Sequence, residues 1–251
     1  MHLTTHIFCC PASRELLEMI LEGADAGLFT DWADFADKAP NAHVLVAVLD
    51  LVACVSIQDV IALRRACSHV PFILCVPRGT LLPDDVDFDR SVRRGLVSAR
   101  LRDRIRHHQF GAARTRLCDF ILDGDHDLQT LREPLARWLH ATPPPRTATK
   151  AAAIIGWRLK AVESAFREEV KPAGGTSLKR CIDSIVLYRA CEILALGETV
   201  SDAAEQLRLS KRTLMRMARR AWDASVADLP VVSPSGAVHR LCGSLGLDGQ
   251  I

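Results

Sequence analysis

The stretch Val200-Ser-Asp-Ala-Ala-Glu-Gln-Leu-Arg-Leu-Ser-Lys-Arg-Thr-Leu-Met-Arg-Met-Ala-Arg-Arg220 carries two amphipathic helical patterns with a short break between them. In the first, Ala203, Ala204 and Leu207 recur at helical spacing and are small enough for close packing. Ser201 is a candidate N-cap, and Asp202 and Glu205 bring negative charge to the first turn, where the helix dipole favours it. Leu209 is placed to plug the turn, and Ser210 to cap the second helix. That helix is expected to bury Leu214, Met217 and Ala218 and to expose Lys211, Arg212, Thr213, Arg216, Arg219 and Arg220. Five positive residues and no acid lie between Lys211 and Arg220, which a merely soluble helix does not need. A tightly packed first helix, a short turn and a second helix with long outward donors are what a helix-turn-helix requires to enter a major groove. Arg and Lys can read guanine edges or hold phosphates, and Ser and Thr can bond either.

The same chemistry extends upstream more weakly. Leu187, Ala190, Cys191 and Leu194 share one helical face, and Gly197 follows as a stop. Lys150-Ala-Ala-Ala-Ile-Ile-Gly156-Trp-Arg-Leu-Lys-Ala-Val-Glu-Ser-Ala-Phe166-Arg-Glu-Glu-Val170 holds a second candidate pair of helices, with Gly156 in the turn and Val162 and Phe166 on a buried face. Arg158, Lys160, Ser164 and Arg167 are its candidate DNA contacts, while Glu163, Glu168 and Glu169 would repel phosphates. Charge is unevenly spread. From Arg146 to Trp222 there are 15 Lys+Arg against 8 Asp+Glu, whereas the whole chain has a net charge of only +2. A basic segment joined to an acidic remainder points to a polyanion as partner of one part.

Taken together, 146–230 resembles the DNA-binding domain of the AraC/XylS family, in which a long helix joins two helix-turn-helix units. Leu178–Ala195 matches the linking helix, Val200–Arg220 the second unit, and Lys150–Val170 the first. Trp222-Asp-Ala-Ser-Val-Ala-Asp-Leu229 is similar to the family's closing turn and final helix start. Arg208 stands where the family usually has glycine, and Arg219 where an aromatic residue usually packs. Either the family's opening helix is absent or Leu128–His140 supplies it.

The N-terminal half alternates strand and helix patterns. His6–Cys10, Gly27–Thr30, Val44–Leu49, Pro71–Val76 and Asp119–Leu122 read as strands; Arg14–Glu22, Ile57–Ala66 and Leu128–Leu139 read as helices. Ser91–Arg106 reads as a basic helix, either a solvated face or a phosphate-contacting one. Strands alternating with helices argue for a parallel sheet covered on both faces. The half resembles a response-regulator receiver. Val44-Leu-Val-Ala-Val-Leu-Asp50 matches the strand that ends in the phospho-accepting aspartate. Receivers place an acidic pair after the first strand and a lysine after the fifth; here Cys9-Cys10 and Asp123 or Gly124 take those places. Soft thiols make a poor Mg²⁺ site. The resemblance therefore implies a pseudo-receiver in which Asp50 is regulatory at most, or simply polar at a strand end.

The expected architecture is α/β plus all-α: a receiver-like, flavodoxin-like parallel-sheet domain (1–140), a Pro-rich linker (141–149), a helical domain with two helix-turn-helix units (150–230) and a C-terminal tail (231–251). Nine scattered cysteines without a C-x-x-C pair read as buried, reduced thiols of a cytoplasmic protein. His43–Leu63 is interrupted by Asp50, Gln58 and Asp59, so no membrane span is expected. Neither a cofactor, a metal site nor an enzyme active site is expected, because there is no Gly-rich phosphate loop, G-x-S-x-G or partnered carboxylate pair. The function expected is sequence-specific transcription regulation on double-stranded DNA. A homodimer through the N-terminal domain, and RNA polymerase as a further partner, accompany that expectation. A protein-interaction adaptor, in which the receiver-like domain dimerises or docks a partner, is the alternative.

Overall fold

In a computed structural model, four apolar runs of the N-terminal half and one polar segment pair into a five-stranded sheet. The structure describes residues 5–9, 11, 14–20, 26–41, 45–48, 56–67, 72–75, 89–92, 97–124 and 126–247. The elements of the first part are β1 (Thr5–Phe8), α1 (Arg14–Ile20), β2 (Ala26–Phe29), α2 (Trp32–Lys38), β3 (Leu45–Val48), α3 (Ile57–Ala66), β4 (Phe72–Cys75) and β5 (Asp89–Val92). The strand order is β2-β1-β3-β4-β5 and every pairing is parallel, so the winding direction reverses between β1 and β3. Ile7 and Phe8 are buried, and Phe8 meets Trp32 and Phe35 edge-on or tilted at 5.2 and 5.6 Å between ring centroids. Asp31 caps α2 by accepting from the Asp34 amide, and Ser56 caps α3 by accepting from that of Asp59.

One expected strand is wrong. Asp119–Leu122 forms the last turn of a long helix, α4 (Val97–Asp123). Leu117, Cys118 and Ile121 are buried while Asp119 and Leu122 are exposed, which is helical and not strand periodicity. A short apolar run cannot by itself distinguish the two. The fifth strand is instead the polar Asp89–Val92, at the sheet edge, where polar side chains suit an unpaired border. It occupies the start of the segment expected to be helical from Ser91, so that helix begins only at Val97.

The chain divides into two compact units, His2–Ala112 and Ala113–Ile251, and the division falls inside α4. It does not follow residue 140 as expected. The reason is visible in α5 (Arg132–His140): Trp138 is fully buried and its indole N–H donates to the Ala151 carbonyl at 2.9 Å. Pro144 and Pro145 are buried as well. The proline run is thus part of the second unit, not a spacer between domains.

That unit continues with α6 (Ala148–Ile155), α7 (Leu159–Ala165), a five-residue π-helical segment (Phe166–Val170), α8 (Leu178–Leu194), α9 (Val200–Gln206), α10 (Lys211–Trp222), a 3-10 turn (Val226–Val231) and α11 (Pro234–Leu245). α8 is the axis. Residues 181–192 are buried except at Arg189, because α6, α9, α10, the 3-10 turn and α11 all pack on it. The 231–251 segment is therefore not a tail through to Leu247. α11 buries Ala237, Val238, Leu241, Cys242 and Leu245. It docks by close backbone approach, with the Thr176 amide donating to the Ser244 carbonyl at 3.0 Å. A Cβ on Gly246 would meet the Ala173 oxygen at 2.5 Å, so only glycine fits there.

Candidate functional site

The second helix pair sets the geometry of the basic surface. Thr199, not Ser201, caps α9: its hydroxyl accepts from the Asp202 amide while the Asp202 carboxylate accepts from the Thr199 amide at 3.0 Å. These bonds hold the Asp202 carboxyl below its ordinary value, with the Thr199 hydroxyl as the main cause. Leu207 is buried, and the chain reverses through Arg208 in a left-handed conformation, φ 54°. The Arg146 guanidinium donates to the Arg208 carbonyl. Ser210 then caps α10, its hydroxyl accepting from the Thr213 amide at 3.1 Å and sharing a hydrogen bond with the Thr213 hydroxyl at 2.9 Å.

α10 sorts its side chains sharply. Leu214, Met217, Ala218 and Trp222 are buried, and the Trp222 N–H donates to Ser184 of α8 at 3.2 Å. Lys211, Arg212, Arg216 and Arg219 are exposed, and Thr213 is half-buried. Arg220 differs from these four. Its guanidinium bonds the carboxylate of Asp183, a residue of α8 with no exposed surface, and Lys179 Nζ donates to the other oxygen at 2.9 Å. Arg220 is therefore an anchor of α10 on α8 rather than a free donor.

The first helix pair is less uniform. Gly156 ends α6 at φ 74°, as its place in the turn predicts. Val162 and Phe166 are buried as expected. Arg158, Lys160 and Arg167 are exposed, and so are Glu163 and Glu168. Ser164 donates its hydroxyl to Glu168 at 2.8 Å and is not a free donor. Glu169 has a structural role that its sequence position does not reveal. Its two oxygens accept from the Thr130 and Leu131 amides at 2.8 and 3.1 Å, at the start of α5.

Between the pairs lies a cleft of about 460 Å³. Arg146, Lys150, Lys179, Arg216 and Arg220 supply its cations, Leu209 and Met217 its apolar part, and Thr147 and Thr213 its hydroxyls. Only Thr213, Arg216 and Arg220 were legible as site residues in the sequence. The others come from separate segments that no linear motif joins, although Arg146 and Lys150 close to the proline run are a hint of it.

In the N-terminal unit Cys9 is buried directly after β1, where a receiver carries acidic residues. Asp50 and Cys10 lie outside the described residues. Asp123 ends a helix and does not follow a strand, so it does not stand in the place of a receiver's lysine. Among the described residues no group of His, Cys, Asp or Glu side chains is arranged to hold a metal ion, and no helix is long and apolar enough to cross a membrane. No protein-family model matches this chain, and neither a curated protein nor a solved structure matches it significantly.

Proposed function

We propose that the chain is a sequence-specific DNA-binding transcription regulator of AraC/XylS type. α6–α7 and α9–α10 are its two helix-turn-helix units and α8 is the helix between them. α10 carries the reading: Lys211, Arg212, Arg216 and Arg219 stand exposed on a helix without an acid from Lys211 to Trp222. A helix held at its start by Ser210 and along its length by Leu214, Met217 and Trp222 presents such donors rigidly to a major groove. Lys211, Arg212, Thr213 and Arg216 contact bases or phosphates in one groove, and Arg158, Lys160 and Arg167 contact the adjacent one about 34 Å away along the duplex. The acids of the first unit make it the weaker reader. α5, folded into the same unit, serves as the opening helix of the domain.

The N-terminal unit is then a receiver-like regulatory or dimerising module. The doubly wound order β2-β1-β3-β4-β5 supports that reading. Buried Cys9 in place of an acid supports the loss of Mg²⁺-dependent phosphorylation. Selection of bound sequences from a random duplex pool, followed by gel retardation at rising salt, tests the function. A recovered consensus whose binding falls steeply with salt is expected. Failure to enrich any sequence, or binding indifferent to salt, would overturn it.

A further inference from the structure

The cleft beside α10 combines two properties that a sugar-phosphate backbone does not need together. It is strongly cationic: five cations line it and no carboxylate does. Asp183, behind it, is shared by Lys179 and Arg220, and Arg146 is held by a neutral carbonyl, so a net positive charge remains. It is also partly apolar, through half-buried Leu209 and buried Met217. Its volume of about 460 Å³ falls in the range of small-molecule pockets and is far larger than one phosphate group requires. A bare inorganic anion would leave half-buried Leu209 facing water. An uncharged apolar molecule would leave the cations without a counter-charge.

We infer that this cleft binds a small amphipathic organic anion, with its apolar body on Leu209 and Met217 and its acidic head toward Lys150 and Arg216. Thr213 and Arg216 line the cleft and also belong to the proposed DNA-reading surface. Occupancy of the cleft therefore competes with DNA, which makes the site a built-in inhibitory input. Only this competition rests on the proposed function; binding of the anion does not.

Calorimetric titration of the full chain with 2-naphthalenesulfonate, without DNA, tests the site. Saturable one-to-one binding is expected. Inorganic sulfate and uncharged 2-naphthol should each bind at least about tenfold more weakly, since each lacks one of the two interactions. Lys150→Ala should weaken the sulfonate about tenfold and Lys150→Arg should largely restore it. Lys150 is exposed, so an unchanged melting temperature for both variants will confirm that the fold is intact. Absence of saturable binding overturns the inference, as does equal affinity for sulfate or 2-naphthol, or binding indifferent to Lys150→Ala. In a second arm, a retained random-sequence duplex should be released as the sulfonate saturates. Retention undiminished at saturation overturns the competition. If no duplex is retained at all, the regulator reading fails while the titration still decides the site.

Discussion

Arg220 Nε donates to Oδ2 of Asp183 at 2.6 Å, across 37 residues of sequence, and this bond fastens the basic helix α10 to the buried axis of its unit. Asp183 is fully buried, whereas Lys179 and Arg220 are nearly half exposed. Removing the acid leaves two cations that water can still reach; removing Arg220 leaves a buried carboxylate with Lys179. Asp183→Asn should cost about 1–3 kcal/mol in chemical denaturation. In a double-mutant cycle with Arg220→Gln, a coupling energy above about 0.5 kcal/mol is expected. Additive effects would show that the pair does not hold α10 in place.

Arg208 supports the turn before α10 in a conformation that L-residues avoid, φ 54°. Glycine adopts it without the Cβ clash but gives up more chain entropy on folding. The balance favours Arg208→Gly by about 0.5–1 kcal/mol, read as a rise in melting temperature. A fall would mean that the Arg208 side chain contributes more than its backbone costs.

Glu169 holds the turn that leads into α5, its two carboxylate oxygens accepting from the Thr130 and Leu131 amides. Glu169→Ala strands two amides and should destabilise the helical unit by about 1–2 kcal/mol. Glu169→Gln keeps one acceptor and should lose roughly half as much by the same measure. If this acid instead weakens DNA binding by repulsion, both variants will bind a selected duplex more tightly.

Asp202 has its folded pKa lowered by its bonds to Thr199. Its contribution to stability is therefore full above the unfolded value, about 3.9, and disappears as pH falls through the folded value. Wild type should melt above Asp202→Asn at neutral pH, and the gap should close in the acid range below about pH 4. A gap independent of pH would assign the effect to packing instead of charge.

Arg212→Ala/Arg216→Ala removes two exposed cations and leaves the buried face of α10 untouched. Affinity for a selected duplex should fall at least tenfold, and the slope of log K against log salt should drop by about 2 units. Arg219→Ala, one turn on, is expected to matter less for base reading. Circular dichroism should show helicity unchanged in all three substitutions.

The helical unit was the more legible half because its patterns are long. The buried face of α10, the turn at Gly156 and the Ser210 cap follow from spacing and side-chain type, whereas α8, which reads as one apolar face at Leu187, Ala190, Cys191 and Leu194, is buried on nearly all sides. What escaped depended on partners far away in sequence. Asp183 and Glu169 look like ordinary helix-surface acids until Arg220 and the start of α5 are set beside them. The N-terminal strands with continuous apolar runs were legible too, while β5 is polar and short and carries no such signal. Phe120-Ile-Leu122 carried a false one, because three apolar residues fit a strand or a buried helix face equally well. α11 was missed although Ser233 and Pro234 form an ordinary helix start, the serine hydroxyl accepting from the Gly236 amide at 3.0 Å.

Cys9, Cys67, Cys118, Cys181, Cys191 and Cys242 are all buried. Burial pushes the Cys118 thiol up to about 11 and that of Cys181 up to about 12. Only the thiolate attacks an alkylating reagent, so at neutral pH Cys118 and Cys181 are silent while the fold is closed, and burial keeps the reagent from the other four. Each then becomes a clock for its own element: Cys181 and Cys191 for the axial helix, Cys242 for α11, Cys118 for the end of α4. Labelling read by peptide mass at increasing times would order the elements by how often they open. The axis, walled in on every side, should be the last to take up label.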